Sequence, residues 1–378
     1  MQAVVIVGSG LAGYTLLKEI RKRDAVAPVT LVTADDGAFY SKPNLSNALA
    51  ARKTPAMLAS AGAEEMAAAH AATILTHTRV TAIDPSSRRI RAGDSDLEYG
   101  RLVLALGADP VPHGLAGEGA GAVLAVNDLA DYAAFRRALD GRRRVTVLGG
   151  GLIGCEFAND LAQAGFAVDV VHPGEWPLNR LLPPEAGKRL ADGLAALGVN
   201  WHFGRVAERV DVAAGAYRVV LDSGEIVAAD LVLSAIGLRP RTALAHAAGI
   251  PVGRGIRTDD LLETGAANVY AMGDCVEVEG GHLPFVQPLM AQARALAATL
   301  TGTPTPVAYP AMPVTVKTPA HPVAVLPPKS GAAGGWDVAD GESGVCALHV
   351  DEGGRLRGFA LTGSETGRRH ALLKAVAA

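Results

Sequence analysis

Short apolar runs recur along this chain, and glycine-rich turns follow the two most regular of them. Near the start, "AVVIVGSGLAG" reads as an apolar strand running into Gly8-x-Gly10-x-x-Gly13, with a helix expected from about Leu11 to Arg23. The segment "RVTVLGGGLIGCEFANDLAQAG" repeats the plan: Val145 to Leu148 predict a strand, Gly149-x-Gly151-x-x-Gly154 a turn, and the remainder a helix. A second apolar strand follows each, in "VTLVT" and "FAVDVVH". The copies also close alike. "LEYGRLVLALGADP" and "GEIVAADLVLSAIGLRP" each run a Leu/Val strand to a glycine, Gly107 and Gly237, with a proline three residues on. Hairpin character precedes the second ending, where "YRVVLDSGEIV" turns at Asp222-Ser223-Gly224. Strands alternating with helices in this way predict an α/β protein with two parallel, Rossmann-like sheets covered on both faces.

The turns carry the first chemistry. Glycines between a strand and a helix let backbone N–H groups approach a pyrophosphate at the helix N-terminus, where the dipole favours negative charge. Two such turns predict two dinucleotides. For the first, the candidate contacts are Gly8, Ser9, Gly10, Leu11, Ala12 and Gly13, with Asp35 of "VTADDG" reaching the adenosine ribose from two residues beyond the strand tip at Thr33. Much later, "ETGAANVYAMGDC" runs a strand into Gly273-Asp274, and an aspartate at such a turn suits the ribityl chain of a flavin. That makes the first nucleotide FAD. The second turn, with Gly149, Gly151 and Gly154, is left for a pyridine nucleotide. Its strand tip holds His172 where an acid usually reads the ribose, so Glu175 of "HPGEW" is expected to supply the carboxylate from the loop. No arginine occupies the place of a 2′-phosphate clamp, although Arg180 is near, and NADH is the expected form.

Composition narrows the field. A chain of 378 residues, 49% hydrophobic, suits two or three well-filled domains. Only 4% of residues are aromatic and the net charge is -3, so neither base stacking nor a polybasic surface for nucleic acid is expected. "MQAVVIVGSG" lacks the basic start of a secretory signal, and no apolar run reaches about eighteen residues, so a cytoplasmic protein without a membrane span is expected. Cys155, Cys275 and Cys346 are scattered, with no paired spacing and no metal set. Beyond about Thr303 the strands "MPVTVKT", "GVCALHV" and "RLRGFALTG", with turns at 331–335 and 351–354, predict a small sheet capped by a terminal helix.

In order, the first fingerprint, "YSKPNLS", "LGGGLIGCEFANDLA", "SAIGLRPRT", "YAMGDC" and "MPVTVKTPA" resemble the rubredoxin–NAD reductases over essentially the whole chain, closest to those serving bacterial alkane hydroxylation. The resemblance implies a glutathione-reductase-like plan: an FAD domain split over 1–107 and 238–303, an NAD domain over 108–237, and a small α+β C-terminal domain over 304–378. Carried over by position, non-covalent FAD is contacted by residues 8–13, Asp35, Lys42, Val80, Glu156, Asp274, Val286 and Lys317. It further implies hydride transfer from NADH to the flavin, and electrons then passed singly to rubredoxin, a small acidic iron protein, for alkane hydroxylation or for oxygen or peroxide detoxification.

Disulfide reductases built on this plan need a thiol pair beside the flavin, and here "YSKPNLSNA" holds none. The electrons are therefore expected to leave the flavin directly. Lys42 and Lys317 are the cations expected to offset its charge, with Glu156 orienting Lys42. Two rival readings stand beside this one: a ferredoxin reductase of an oxygenase system, which usually shows arginine where Lys42 stands, and a redox-sensing FAD/NADH-binding protein. Rubredoxin is expected to be steered by Arg52, Lys53, Lys329, Arg368 and Arg369.

Overall fold

The structure is a computed structural model that describes residues 3–278, 281–329 and 331–377. The chain forms two compact units. The first takes Met1–Lys42, Ala56–Asp109 and Leu238–Tyr309, and the second Pro43–Pro55, Pro110–Gly237 and Pro310–Ala378.

In the first unit a five-stranded parallel sheet runs in the spatial order Val269–Ala271, Arg101–Leu104, Val4–Val7, Val29–Val32, Thr73–Leu75. Val4 faces Arg101 on one side and Val29 on the other. The strands are largely apolar because both faces are buried: helix residues such as Leu16, Leu17 and Leu296 and the antiparallel-strand residues Ile83 and Ile90 share their core. The helix Leu11–Arg23 buries Tyr14, Leu16, Leu17 and Ile20 and packs beside the helix Val286–Leu300. One edge strand, Val269–Ala271, comes from the returning part of the chain, so this sheet is completed only after the second fingerprint has been traversed. An antiparallel sheet, Val80–Asp84, Arg89–Ala92 and Ser95–Glu98, belongs to the same unit.

The second unit repeats the plan. Its parallel sheet runs Val199–Phe203, Ala167–His172, Arg144–Leu148, Leu231–Ser234, and the helix Leu152–Gln163 follows the fingerprint turn. The expected hairpin joins Ala216–Leu221 to Ile226–Ala229, and Gly224 takes the left-handed φ of +83° that such a turn requires.

The tail, expected as a domain from residue 304, joins this unit from Pro310. There the helix Pro184–Ala195 packs on the strands Gly344–Val350 and Leu356–Thr362, and Arg189 pairs with Asp340 at 2.8 Å. The tail is a five-stranded antiparallel sheet in which Val323–Leu326 and Gly335–Gly341 add to the three predicted strands. Its closing helix, Arg369–Ala377, lays Leu372, Leu373 and Val376 on the cluster Leu326, Cys346, Phe359 and Leu361.

Candidate functional site

The two fingerprint turns repeat each other atom for atom in what they forbid. Gly8 has φ +116°, and a Cβ there would lie 2.3 Å from the Ala105 carbonyl oxygen; Gly149 has φ +104° and stands likewise 2.6 Å from Ala235 O. A Cβ on Gly13 would lie 1.9 Å from Gly8 O, and one on Gly154 would lie 1.8 Å from Gly149 O. The third glycine of each turn is what lets the helix lie against its own strand. At Gly10 and Gly151 a Cβ would meet no protein atom within 4 Å. Open space beside backbone at a helix N-terminus is what a pyrophosphate needs.

In the first unit Asp35 is exposed, yet held. Its Oδ1 accepts from Ser9 Oγ at 2.9 Å, Thr33 Oγ1 at 2.6 Å and the Gly37 N–H at 2.9 Å. The strand-tip residue Thr33 is thus the clamp on the carboxylate. The stretch before Val80 is laced to the same place, because His77 N–H donates to Asp35 O and Thr78 N–H to Thr33 O, both at 2.8 Å. Tyr14 donates to Gly37 O at 2.5 Å, and burial, with Asp35 and Asp36 adding to it, pushes its hydroxyl up to about 12.

Asp274 reaches this unit's fingerprint through its neighbour. Gly273 has φ +76° and lies so close to the fingerprint helix that a Cβ would be 2.9 Å from that of Ala12. Gln292 Oε1 accepts its N–H at 2.8 Å, which ties the turn to the helix Val286–Leu300. The Asp274 carboxylate has no hydrogen-bond partner among the described residues, so it is open to a ligand's hydroxyl groups. Val286 begins its helix and is 40% exposed. Lys42, half-buried, ends the unit and opens the short helix Lys42–Asn47.

In the second unit Glu156 is a hub, only 4% exposed. Its Oε1 accepts the Lys317 backbone N–H at 2.9 Å, and its Oε2 accepts Lys317 Nζ and Ser46 Oγ, both at 2.5 Å. Lys317 Nζ also donates to Pro43 O at 2.6 Å. These contacts set Lys317 on Glu156. One helical turn further, Asp160 is 3% exposed and accepts the N–H groups of Leu49 at 2.8 Å and Ala50 at 2.9 Å. Burial pushes its carboxyl up, and those backbone donors pull the other way. The "PNLSNALA" stretch is therefore fastened to the second fingerprint helix by two acids at i and i+4. Sequence reasoning missed Ser46 and Asp160; the signal was a pair of acids in an otherwise apolar "GCEFANDLA".

The strand tip His172 is buried and Glu175 is exposed on the loop beyond it. Arg180 is exposed too. No thiol stands ready for a relay. Cys155 and Cys275 are fully buried, and burial pushes both up, Cys275 to about 11. Cys346 is buried in the tail sheet. Among the described residues no cluster suits a metal ion, and no helix is long and apolar enough to cross a membrane.

Residues 2–297 match the model of the pyridine nucleotide-disulphide oxidoreductases, and residues 306–376 that of the rubredoxin binding C-terminal domain. A rubredoxin-NAD(+) reductase of Alcanivorax borkumensis is 49% identical over 96% of this chain and 95% of its own. That of Acinetobacter baylyi is 43% identical over 99% and 97%. The solved ferredoxin reductase for the CYP199A2 system of Rhodopseudomonas palustris is similar at TM-score 0.87 and 26% identity, covering 95% of this chain and 91% of that one.

Proposed function

Because this chain belongs to the pyridine nucleotide-disulphide oxidoreductases and, among them, to the rubredoxin–NAD(+) reductases, we propose that it draws electrons from NADH through FAD and delivers them to rubredoxin in the cytoplasm, where NADH is at hand. The observation that carries the choice of acceptor is the tail, which matches a rubredoxin-binding model over residues 306–376. The rival ferredoxin reductase reading has support from the 26% identical solved structure, but the family model that the tail matches is a rubredoxin-binding one.

When bound, FAD takes two electrons from NADH and can release them one at a time. The chain's own residues hold and tune it. Residues 8–13 cradle its pyrophosphate, Asp35 takes the adenosine ribose with Ser9 and Thr33 fixing its carboxylate, and Val80 borders the adenine through its backbone. Asp274 takes the ribityl hydroxyls and Val286 presents a helix N-terminus. Lys42 and the Lys317–Glu156 pair are the charged groups we assign to the flavin, with Lys317 favouring negative charge as electrons arrive and Glu156 holding its position. The second turn, with Gly149, Gly151, Gly154 and Glu175, takes the pyridine nucleotide. Delivery to an alkane-oxidising or oxygen- or peroxide-consuming system would follow from rubredoxin as acceptor.

NADH is expected to be preferred to NADPH. Glu175 is exposed on the loop after the strand tip, where it accepts ribose hydroxyls and repels a 2′-phosphate. Equal kcat/KM for the two nucleotides would show that Arg180 binds the phosphate and the assignment is wrong.

Rubredoxin turnover should fall with rising salt, since exposed charges reach only about 8–10 Å near physiological ionic strength. Arg52, Lys53 and Lys329 are exposed and fit such steering. Arg368 pairs with Glu365 at 3.0 Å, which weakens its claim. Turnover of a neutral dye under the same conditions is the control. If rubredoxin turnover is flat while salt is varied, steering plays no part in docking.

A further inference from the structure

His172 stands where this chain departs from the usual acid, and the geometry around it assigns the residue a different task. Its ring lies on the fingerprint turn: the Gly150 N–H donates to His172 Nδ1 at 3.1 Å, and a Cβ on Gly150 would lie 2.9 Å from the ring's Cγ. The Gly150 carbonyl is engaged as well, by Leu178 N–H at 2.9 Å and by Cys155 Sγ at 3.4 Å. The loop that carries Glu175 therefore closes on Gly150 from the other side. Gly174 is pressed over the ring, since a Cβ there would lie 2.8 Å from His172 Nε2 and 2.5 Å from Asn179 Nδ2.

A ring nitrogen that accepts a hydrogen bond carries no proton, so Nδ1 is bare and the hydrogen sits on Nε2. Nε2 is buried and meets no partner at hydrogen-bonding geometry, although the Asn179 side chain and the Trp176 backbone lie close enough to favour the protonated ring slightly. Burial acts the other way and more strongly, and Arg180 adds to it, so the ring's affinity for a proton lies below the ordinary histidine range. Phe203 of the neighbouring strand meets the ring edge-on at 6.5 Å and brings no charge. The exposed loop residue Glu175 is the acid of this segment, and Arg205 touches His172 only through its backbone, with its N–H on His172 O at 3.2 Å.

We propose that His172 is a positioning residue for the pyridine nucleotide. It never touches the ribose. As the neutral ring it holds Gly150, and so fixes both the fingerprint turn and the start of the Glu175 loop in the shape that binds the dinucleotide. This rests on the reading that the second turn is the pyridine nucleotide site. Protonation would turn Nδ1 into a donor facing the Gly150 N–H donor, and the turn would have to open. Affinity for the adenosine half is therefore full while the ring is neutral and is lost as pH falls through its lowered titration range.

ADP-ribose is the probe, since it is stable in acid, cannot reduce the flavin and occupies only the turn and the ribose site. Its Kd is measured calorimetrically on the FAD-loaded protein between about pH 8 and about pH 5. The wild type should lose affinity as pH falls, approaching about tenfold per pH unit once the ring's lowered titration range is passed, with FAD still bound, because two buried donors would face each other. His172→Asn, whose Oδ1 replaces Nδ1 as acceptor and does not titrate, should keep near-wild-type affinity and show a flat profile. His172→Leu should bind about tenfold more weakly at every pH. A His172→Asn profile that still falls with acid overturns the proposal, as does wild-type binding by His172→Leu. Should His172→Leu fail to fold, the His172→Asn profile decides alone. Gly151→Leu separates the two claims, since its side chain enters space free of protein atoms. If it leaves ADP-ribose binding intact, the second turn is not the site at all; if it abolishes binding while the histidine variants behave as wild type, only the role of His172 falls.

Discussion

Gly154→Ala should leave a yellow protein that no longer takes up NADH efficiently, and Gly13→Ala should leave one that has lost its colour. The added methyl in each case would lie within 2 Å of the preceding turn's carbonyl oxygen, at 1.8 Å from Gly149 O and 1.9 Å from Gly8 O. No side-chain rotation relieves a contact between a Cβ and a backbone atom. The turn must spread instead, by shifting the helix away from its strand, and overpacking of this kind costs about 1–3 kcal/mol. Taken from the binding geometry, that is roughly fivefold to beyond a hundredfold in affinity. The two variants are informative as a pair, because each turn belongs to a different unit. Flavin absorbance after gel filtration reads the first turn and NADH titration reads the second. If Gly154→Ala lost flavin while keeping NADH affinity, the assignment of the two nucleotides would be reversed.

Glu156→Ala should destabilise the second unit by about 3–5 kcal/mol. The carboxylate accepts from Lys317 N–H, Lys317 Nζ and Ser46 Oγ, and it is buried, so its removal takes the acceptor from the Lys317 N–H and leaves Lys317 Nζ and Ser46 Oγ to Pro43 O. Lys317 is 34% exposed at its side chain and recovers some hydration, which places the loss toward the lower end of that range. Glu156→Gln keeps an acceptor oxygen and should cost less. Denaturant melts of both variants are the measurement. Equal stability of Glu156→Ala and wild type would mean that water replaces the carboxylate at no cost and that the hub is not structural.

The parts of this molecule visible in its sequence are those written in local periods. Strand, glycine turn and helix are contiguous, so the first helix is found at Leu11–Arg23 where it was expected. The tail's strands Val323–Leu326 and Gly335–Gly341 carry weaker signals. The first is a four-residue run flanked by prolines, and the second alternates too weakly to stand out beside glycines. The Lys317–Glu156 pair joins residues 161 apart, and no local pattern states such a partnership. Asp160 was hidden for a different reason: its partners are backbone N–H groups of Leu49 and Ala50, which any sequence would offer. His172 stands at a strand tip where an acid is usual, and no local pattern states which way its ring points. Its ring in fact turns inward to Gly150.

The central claim is that electrons pass from FAD to rubredoxin with no thiol between them. The most direct measurement is NADH-driven reduction of rubredoxin by the FAD-loaded protein in which Cys155, Cys275 and Cys346 are all replaced by alanine, alongside the same assay with a ferredoxin. All three thiols are buried, and no two are disposed as a pair, so the variant should reduce rubredoxin at near wild-type rates per bound FAD and reduce ferredoxin poorly. A folded, FAD-loaded variant whose flavin is still bleached by NADH but which no longer reduces rubredoxin would contradict the account.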